Sequence, residues 1–111
     1  AVNADALLAT VEGDLNRLSQ LIDVFIDDLP NSLGALEASI AAADPARLYR
    51  AAHSLRSAAG TMGLEEAQRL CLRLESASKE GHLDAAPGLF FDLSAEFQAS
   101  VSQLHALKDS V

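Results

Sequence analysis

The chain has one cysteine in 111 residues, no tryptophan, and no apolar run approaching the ~20 residues of a membrane span. A single thiol excludes a disulfide framework. A basic segment followed by an apolar one, the mark of a secretory leader, is also missing, so a soluble, cytoplasmic protein with no membrane contact is expected. Cations are few: 8 Lys and Arg against 16 Asp and Glu give a formal charge of −8. That balance argues against nucleic acid as a partner, because affinity there comes from neutralising phosphates. There is no glycine-rich phosphate loop, no nucleotide motif and no metal-ligand spacing among His53, His82 and His105. No cofactor, no resident metal and no ATP chemistry of its own are therefore expected. The chain opens Ala1-Val2 without an initiator Met, which fits a trimmed start or a domain cut from a longer protein.

Valine, isoleucine and aromatics are scarce while alanine and leucine are abundant, and apolar residues recur at three and four. Strands are unfavoured, and the expected class is all-α. A short helix is predicted from Ala4 to Glu12, stopped by Gly13. Asp14 then caps a second helix with a stripe at Leu18, Ile22, Phe25, Leu29, Leu33, Leu36 and Ile40. The stripe passes Pro30 in register, which predicts one long helix kinked there, with two separate helices as the alternative. Asp44-Pro45 supplies an N-cap and an N1 proline for a third helix that ends near Met62, with Gly63 as its stop. Glu65 and Glu66 open a fourth that runs to about Glu80 and is closed by Gly81. A last helix is predicted from about Ala85 to Lys108, with Leu89, Phe90, Leu93, Phe97, Val101, Leu104 and Leu107 on its face. Short connections favour an antiparallel up-and-down four-helix bundle with the short first helix packed at one end, all within a single domain spanning residues 1–111.

At about 100° per residue, Leu48, Ala51, Ala52, Leu55, Ala59 and Met62 form the buried stripe of the third helix, and His53 points away from it. Tyr49, Arg56, Ser57 and Gly60 share the face of His53. An imidazole there meets solvent and can meet a partner. The turn at Gly63-Leu64 makes a hairpin in which His53 and Glu75 lie eleven residues on either side of Leu64, at one height. The Glu75 carboxylate, expected to be exposed and so to add little stability, would when bonded to one ring nitrogen fix the tautomer and leave the other nitrogen as a nucleophile. Lys79, on the same flank as Glu75, would stand near whatever is attacked. From Arg47 to Lys79 the segment carries +3, against −11 for the remainder. That is read either as solvated faces or as a patch that steers an acidic partner. Cys71 falls on the buried stripe of the fourth helix as a small hydrophobe, and Phe25, Phe90, Phe91 and Phe97 are read as core. Leu72 lies off the stripe, either in an apolar docking ring around His53 or as an ordinary surface leucine. Asp23, Asp27 and Asp28 read as a solvated face.

Ala52, His53, Leu55, Met62, Gly63, Cys71, Leu74 and Glu75 stand in the pattern of the histidine-containing phosphotransfer (HPt) domain, which the chain resembles from about Leu7 to Leu104. Two positions depart from it: Arg56 stands where the family carries lysine, and Ser57 where it carries glycine. Arginine keeps the charge and adds a planar fork, whereas serine narrows the approach beside His53, partly offset by Gly60. The resemblance implies a phosphocarrier, not a kinase or ATPase, in which His53 accepts a phosphoryl group from an aspartyl phosphate on a response-regulator receiver domain and passes it to another. Glu75 would orient the imidazole, Arg56 and Lys79 would surround the phosphoryl group, and Tyr49, Ser57, Gly60 and Leu72 would meet the partner. The receiver would bring its own acidic residues and divalent cation and bind transiently. A covalently linked hybrid histidine kinase is a further implied partner. Two other functions stay open from sequence: the phosphate-accepting histidine domain of a chemotaxis-type kinase, and a non-phosphorylated helical interaction bundle.

Overall fold

A computed structural model describes residues 2–110. Five α-helices follow one another: α1 (Ala4–Thr10), α2 (Leu15–Ala41), α3 (Pro45–Thr61), α4 (Glu65–Glu80) and α5 (Ala86–Asp109), with one 3-10 turn at Leu83–Ala85 before α5. Each start has the chemistry it needs. Asn3 accepts from the Ala6 amide, Asp14 from the Asn16 and Arg17 amides, and Asp44 from the Arg47 amide ahead of the N1 proline. Gly63 and Gly81 end α3 and α4 at φ of 69° and 73°, a conformation that costs a side chain and that glycine adopts freely. The first helix stops at Thr10, short of the expected Glu12, which itself turns left-handed at φ 54°.

Pro30 lies inside an unbroken 27-residue α2. Its ring is exposed, so the helix loses one hydrogen bond on the solvent side while Leu18, Ile22, Phe25, Leu29 and Leu36 stay buried on the other. Contacts close in a ring from α2 to α3 to α4 to α5 and back to α2, the up-and-down bundle, with α1 against α2. The body measures 43 × 19 × 18 Å, close to the ~40 Å that α2 alone should span. No helix among the described residues is long and apolar enough to cross a membrane.

The core runs the length of the bundle through Leu18, Ile22, Leu48, Leu55, Leu74, Leu93 and Leu104, with Phe25 and Phe97 tilted together at 6.0 Å. Ser39 and Ser78 are buried within it, and each hydroxyl donates to the carbonyl four residues back, so neither brings an unmet bond inside. Phe91 corrects the sequence reading: it is 74% exposed. It stands two residues from both Leu89 and Leu93, about 200° around the helix from each, and therefore faces solvent.

The amino terminus fastens the end of the bundle that carries the α3–α4 turn. Val2 pairs with Leu64 in an isolated bridge and donates to Gln103 Oε1 at 2.7 Å, and the Asn3 amide donates to the Gly63 carbonyl at 3.1 Å. This contact holds the turn that sets the register of α3 against α4.

Candidate functional site

The two helices that carry the site pack more extensively than any other pair. Ala52 and Ala59 on α3 and Ala67 on α4 are fully buried, and their small side chains let the two backbones approach closely. That closeness draws a flank of α4 into the interface. Glu75 is only 3% exposed, so the carboxylate read from sequence as a surface group is buried between the helices.

His53 Nδ1 lies 2.9 Å from Glu75 Oε1, while the His53 side chain remains 52% exposed. Arg56 adds a third member. Its Nε faces Glu75 Oε2 in an ion pair, both atoms shut off from water, and its Nη2 stands 3.4 Å from Oε1 and 3.2 Å from His53 Nδ1. A ring nitrogen that donates cannot also accept. With an ionised carboxylate closer than the guanidinium, Nδ1 carries the proton and donates to Glu75, and Arg56 spends its donors on the same carboxylate. The lone pair then resides on Nε2, across the ring from the polar cluster. Arg56 thus stands at the Nδ1 edge, where it balances a charge that would otherwise be buried alone.

Tyr49, one turn before His53, lays its ring beside the imidazole with centroids 5.9 Å apart and planes within 15°. Lys79 reaches from α4 to place Nζ 5.1 Å from the centre of that tyrosine ring. Ser57 and Gly60 are exposed on the same side of α3, and Leu72 is 48% exposed on α4. A methyl group built on Gly60 would come within 2.7 Å of Gln68 Nε2, so the bare backbone of Gly60 accommodates a side chain of α4. Arg47, Arg50, Arg73 and Lys79 are exposed on α3 and α4, so the locally basic segment of the sequence is one hairpin.

Cys71 is fully buried, and its thiol is pushed up to about 12, first by burial and then by the Glu75 charge, against a smaller opposing effect of Arg56. It is no nucleophile at neutral pH. His82 and His105 are exposed and distant in sequence from the cluster, and Asp23, of the acidic run on α2, pairs with Lys108. Among the described residues no three His, Cys, Asp or Glu side chains gather in a group that could hold a metal ion.

Sequence reasoning found His53 and Glu75 together. It missed the bidentate hold of Arg56 on Glu75 and the stack of Tyr49 on His53, although the i, i+3 and i, i+4 spacings to His53 carried both.

Residues 20–107 match the family model of the Hpt domain. No curated protein matches the chain. Among solved structures it is similar to histidine-containing phosphotransfer protein B (HptB) of Pseudomonas aeruginosa PAO1, at 24% identity and a TM-score of 0.92, covering 99% of this chain and 96% of that one. It is also similar to the HPT domain of a sensor hybrid histidine kinase from Shewanella, at 22% identity and a TM-score of 0.83, covering 99% and 95%.

Proposed function

The chain belongs to the Hpt domain family, the histidine phosphotransfer modules of two-component phosphorelays, and on that premise we propose that His53 is its phosphoryl-bearing residue. Such domains are phosphocarriers, and their partners are response-regulator receivers. The observation that carries the assignment is a half-exposed imidazole on a basic hairpin, with Nδ1 bonded to a buried carboxylate.

The chemistry follows from that arrangement. The Nε2 lone pair attacks phosphorus of an aspartyl phosphate on the receiver; an N–P bond forms, the P–O bond breaks, and its electron pair returns to the aspartate as carboxylate. Positive charge develops on the ring as the bond forms, and Glu75 at 2.9 Å meets it through the Nδ1 proton. Transfer to a second receiver is the same step reversed. Lys79 contributes positive charge to the surroundings of the phosphoryl group, whereas Arg56, expected from sequence to do the same, stands at the opposite, Nδ1 edge of the ring and neutralises Glu75. A divalent cation comes with the receiver's own acidic residues, and this domain brings none. Ser57, Gly60 and Leu72 border the approach to Nε2, and the basic hairpin steers an acidic receiver into a brief encounter in the cytoplasm.

The test is incubation with phosphorylated receiver. His53 should take up label as a phosphoramidate, labile in acid and stable in base, and His53→Gln should fold normally and take up none. Label persisting in that variant, or resisting acid, refutes the assignment. Incubation with a kinase catalytic domain and ATP in place of the receiver separates the relay from a chemotaxis-type acceptor.

A further inference from the structure

Two torsions, χ1 and χ2, orient the imidazole, and a single hydrogen bond from Nδ1 to Glu75 leaves one of these freedoms unspent. The lone pair on Nε2 lies in the ring plane. In-line attack on phosphorus therefore depends on where that plane points, not only on where Nδ1 is held. With half the side chain in solvent, core packing does not settle the plane.

The ring of Tyr49 does. It is stacked in an offset arrangement, 5.9 Å between centroids and 15° between planes, so it follows the tilt of the imidazole, while Glu75 bears on an edge. The two constraints differ: one follows the plane of the ring and the other holds one of its atoms. Tyr49 is half-buried, and the ammonium group of Lys79 fastens its ring to α4. The imidazole is thus held on one side by a ring from its own helix, itself clasped from the neighbouring helix, and on another by a carboxylate from that neighbour. The edge carrying Nε2 lies across the ring from Nδ1, on a side chain that is 52% exposed. An electron-rich face beside the ring also favours the positive charge that develops there during attack.

We propose that Tyr49, clasped by Lys79, is a positioning residue for phosphoryl transfer, fixing the plane of the His53 imidazole so that the Nε2 lone pair points at the incoming phosphorus. The proposal rests on the reading of His53 as the phosphoryl acceptor. It differs from a docking role for Tyr49 in what it changes: a docking residue sets how well the receiver binds, whereas a positioning residue sets the rate once it is bound.

The experiment compares Tyr49→Leu and Tyr49→Phe with the unaltered chain and with His53→Gln, in transfer from a phosphorylated receiver over a range of receiver concentrations. Tyr49→Leu keeps apolar bulk and loses the ring face; kcat should fall on the order of tenfold with KM changed less than about twofold. Tyr49→Phe keeps the face and should stay within about twofold in both. Relaxation of the His53 ring carbons should show a more mobile imidazole in the leucine variant alone. Unchanged kcat in Tyr49→Leu, a change confined to KM, a phenylalanine variant as slow as the leucine one, or unchanged ring mobility would each overturn the proposal. Label surviving in His53→Gln overturns the site reading and the proposal with it. Label lost there while Tyr49→Leu keeps full kcat overturns the proposal alone.

Discussion

The Nδ1 of His53 donates to Oε1 of Glu75 across 2.9 Å, from a side chain half in solvent to one almost wholly out of it. The reagent is on the surface and its orienting group is in the interior. A buried carboxylate cannot wander with the solvent, and its second oxygen is held by Arg56, so the direction of the hydrogen bond is set by packing.

Removing the carboxylate should therefore cost both stability and rate. Glu75→Ala leaves Arg56 without its partner and opens a small space between α3 and α4. The Arg56 side chain is about one-third exposed and can recover some hydration, so the loss should sit near the low end of what breaking a buried pair costs, about 1 to 3 kcal/mol. Phosphoryl uptake should slow by roughly 10- to 100-fold without being abolished, because the nucleophile remains. Glu75→Gln still accepts from Nδ1 and should lose less of each. Urea unfolding and uptake kinetics on the two variants check this; an alanine variant as stable and as fast as the parent would contradict it.

Cys71 should report on opening of the bundle. Its thiol is raised from an ordinary 9.0 to about 12 in the folded chain, so the unfolded state ionises first as pH rises. The thiol form contributes its full stability below pH 9, and that contribution is lost between 9 and about 12. Iodoacetamide at pH 8 should leave the native protein unmodified for as long as the bundle stays closed, and alkylation should follow the urea unfolding curve. Rapid alkylation of the folded chain at pH 8 would show that the α3–α4 interface opens locally.

Much of this site was legible because helices translate spacing into position. The caps at Asp14 and Asp44 and the stops at Gly63 and Gly81 are local chemistry, and they bounded α2, α3 and α4 closely. The stripe through Pro30 held one helix together because its register never broke. His53 and Glu75 met because a hairpin makes heights countable. What escaped was lateral distance. How deep a flanking residue sinks depends on how closely two helices approach, which the alanines of α3 and α4 decide jointly, and so Glu75 was read as exposed. Phe91 was read as core from residue type, although its angle to Leu89 and Leu93 already placed it outside. The bonds of Val2 and Asn3 to the α3–α4 turn are long-range contacts with no periodicity to reveal them.

That turn supplies another test. Gly63 and Gly81 both sit at positive φ, but a Cβ on Gly63 would meet the Asn3 carbonyl oxygen at 3.0 Å, whereas one on Gly81 would meet nothing within 4 Å. Gly81→Ala should cost only the left-handed conformation, about 1 kcal/mol, and Gly63→Ala should cost that plus displacement of a backbone group, about 2 to 3 kcal/mol. Because Gly63 lies in the turn that aligns His53 with Glu75, its variant should also slow phosphoryl uptake, while the Gly81 variant should not. Equal midpoints in urea for the two would show that the amino-terminal contact adds nothing to the turn.

Ser57 probes the docking surface rather than the reagent. It is exposed on α3, one turn beyond His53 and on the same side, where the family carries glycine, and its backbone carbonyl accepts from the Thr61 hydroxyl. Ser57→Gly should cost roughly 0.5 to 1 kcal/mol for glycine inside a helix and leave transfer as fast or faster. Ser57→Gln should leave stability nearly unchanged and raise KM for the receiver, because a long side chain covers the surface beside Nε2 without touching Glu75, Arg56 or Tyr49. The sign of the two effects is opposed: the variant that weakens the fold helps transfer, and the one that spares the fold hinders it. Transfer rates that follow stability instead, or that are equal in the two variants, would place the receiver on another face of the bundle.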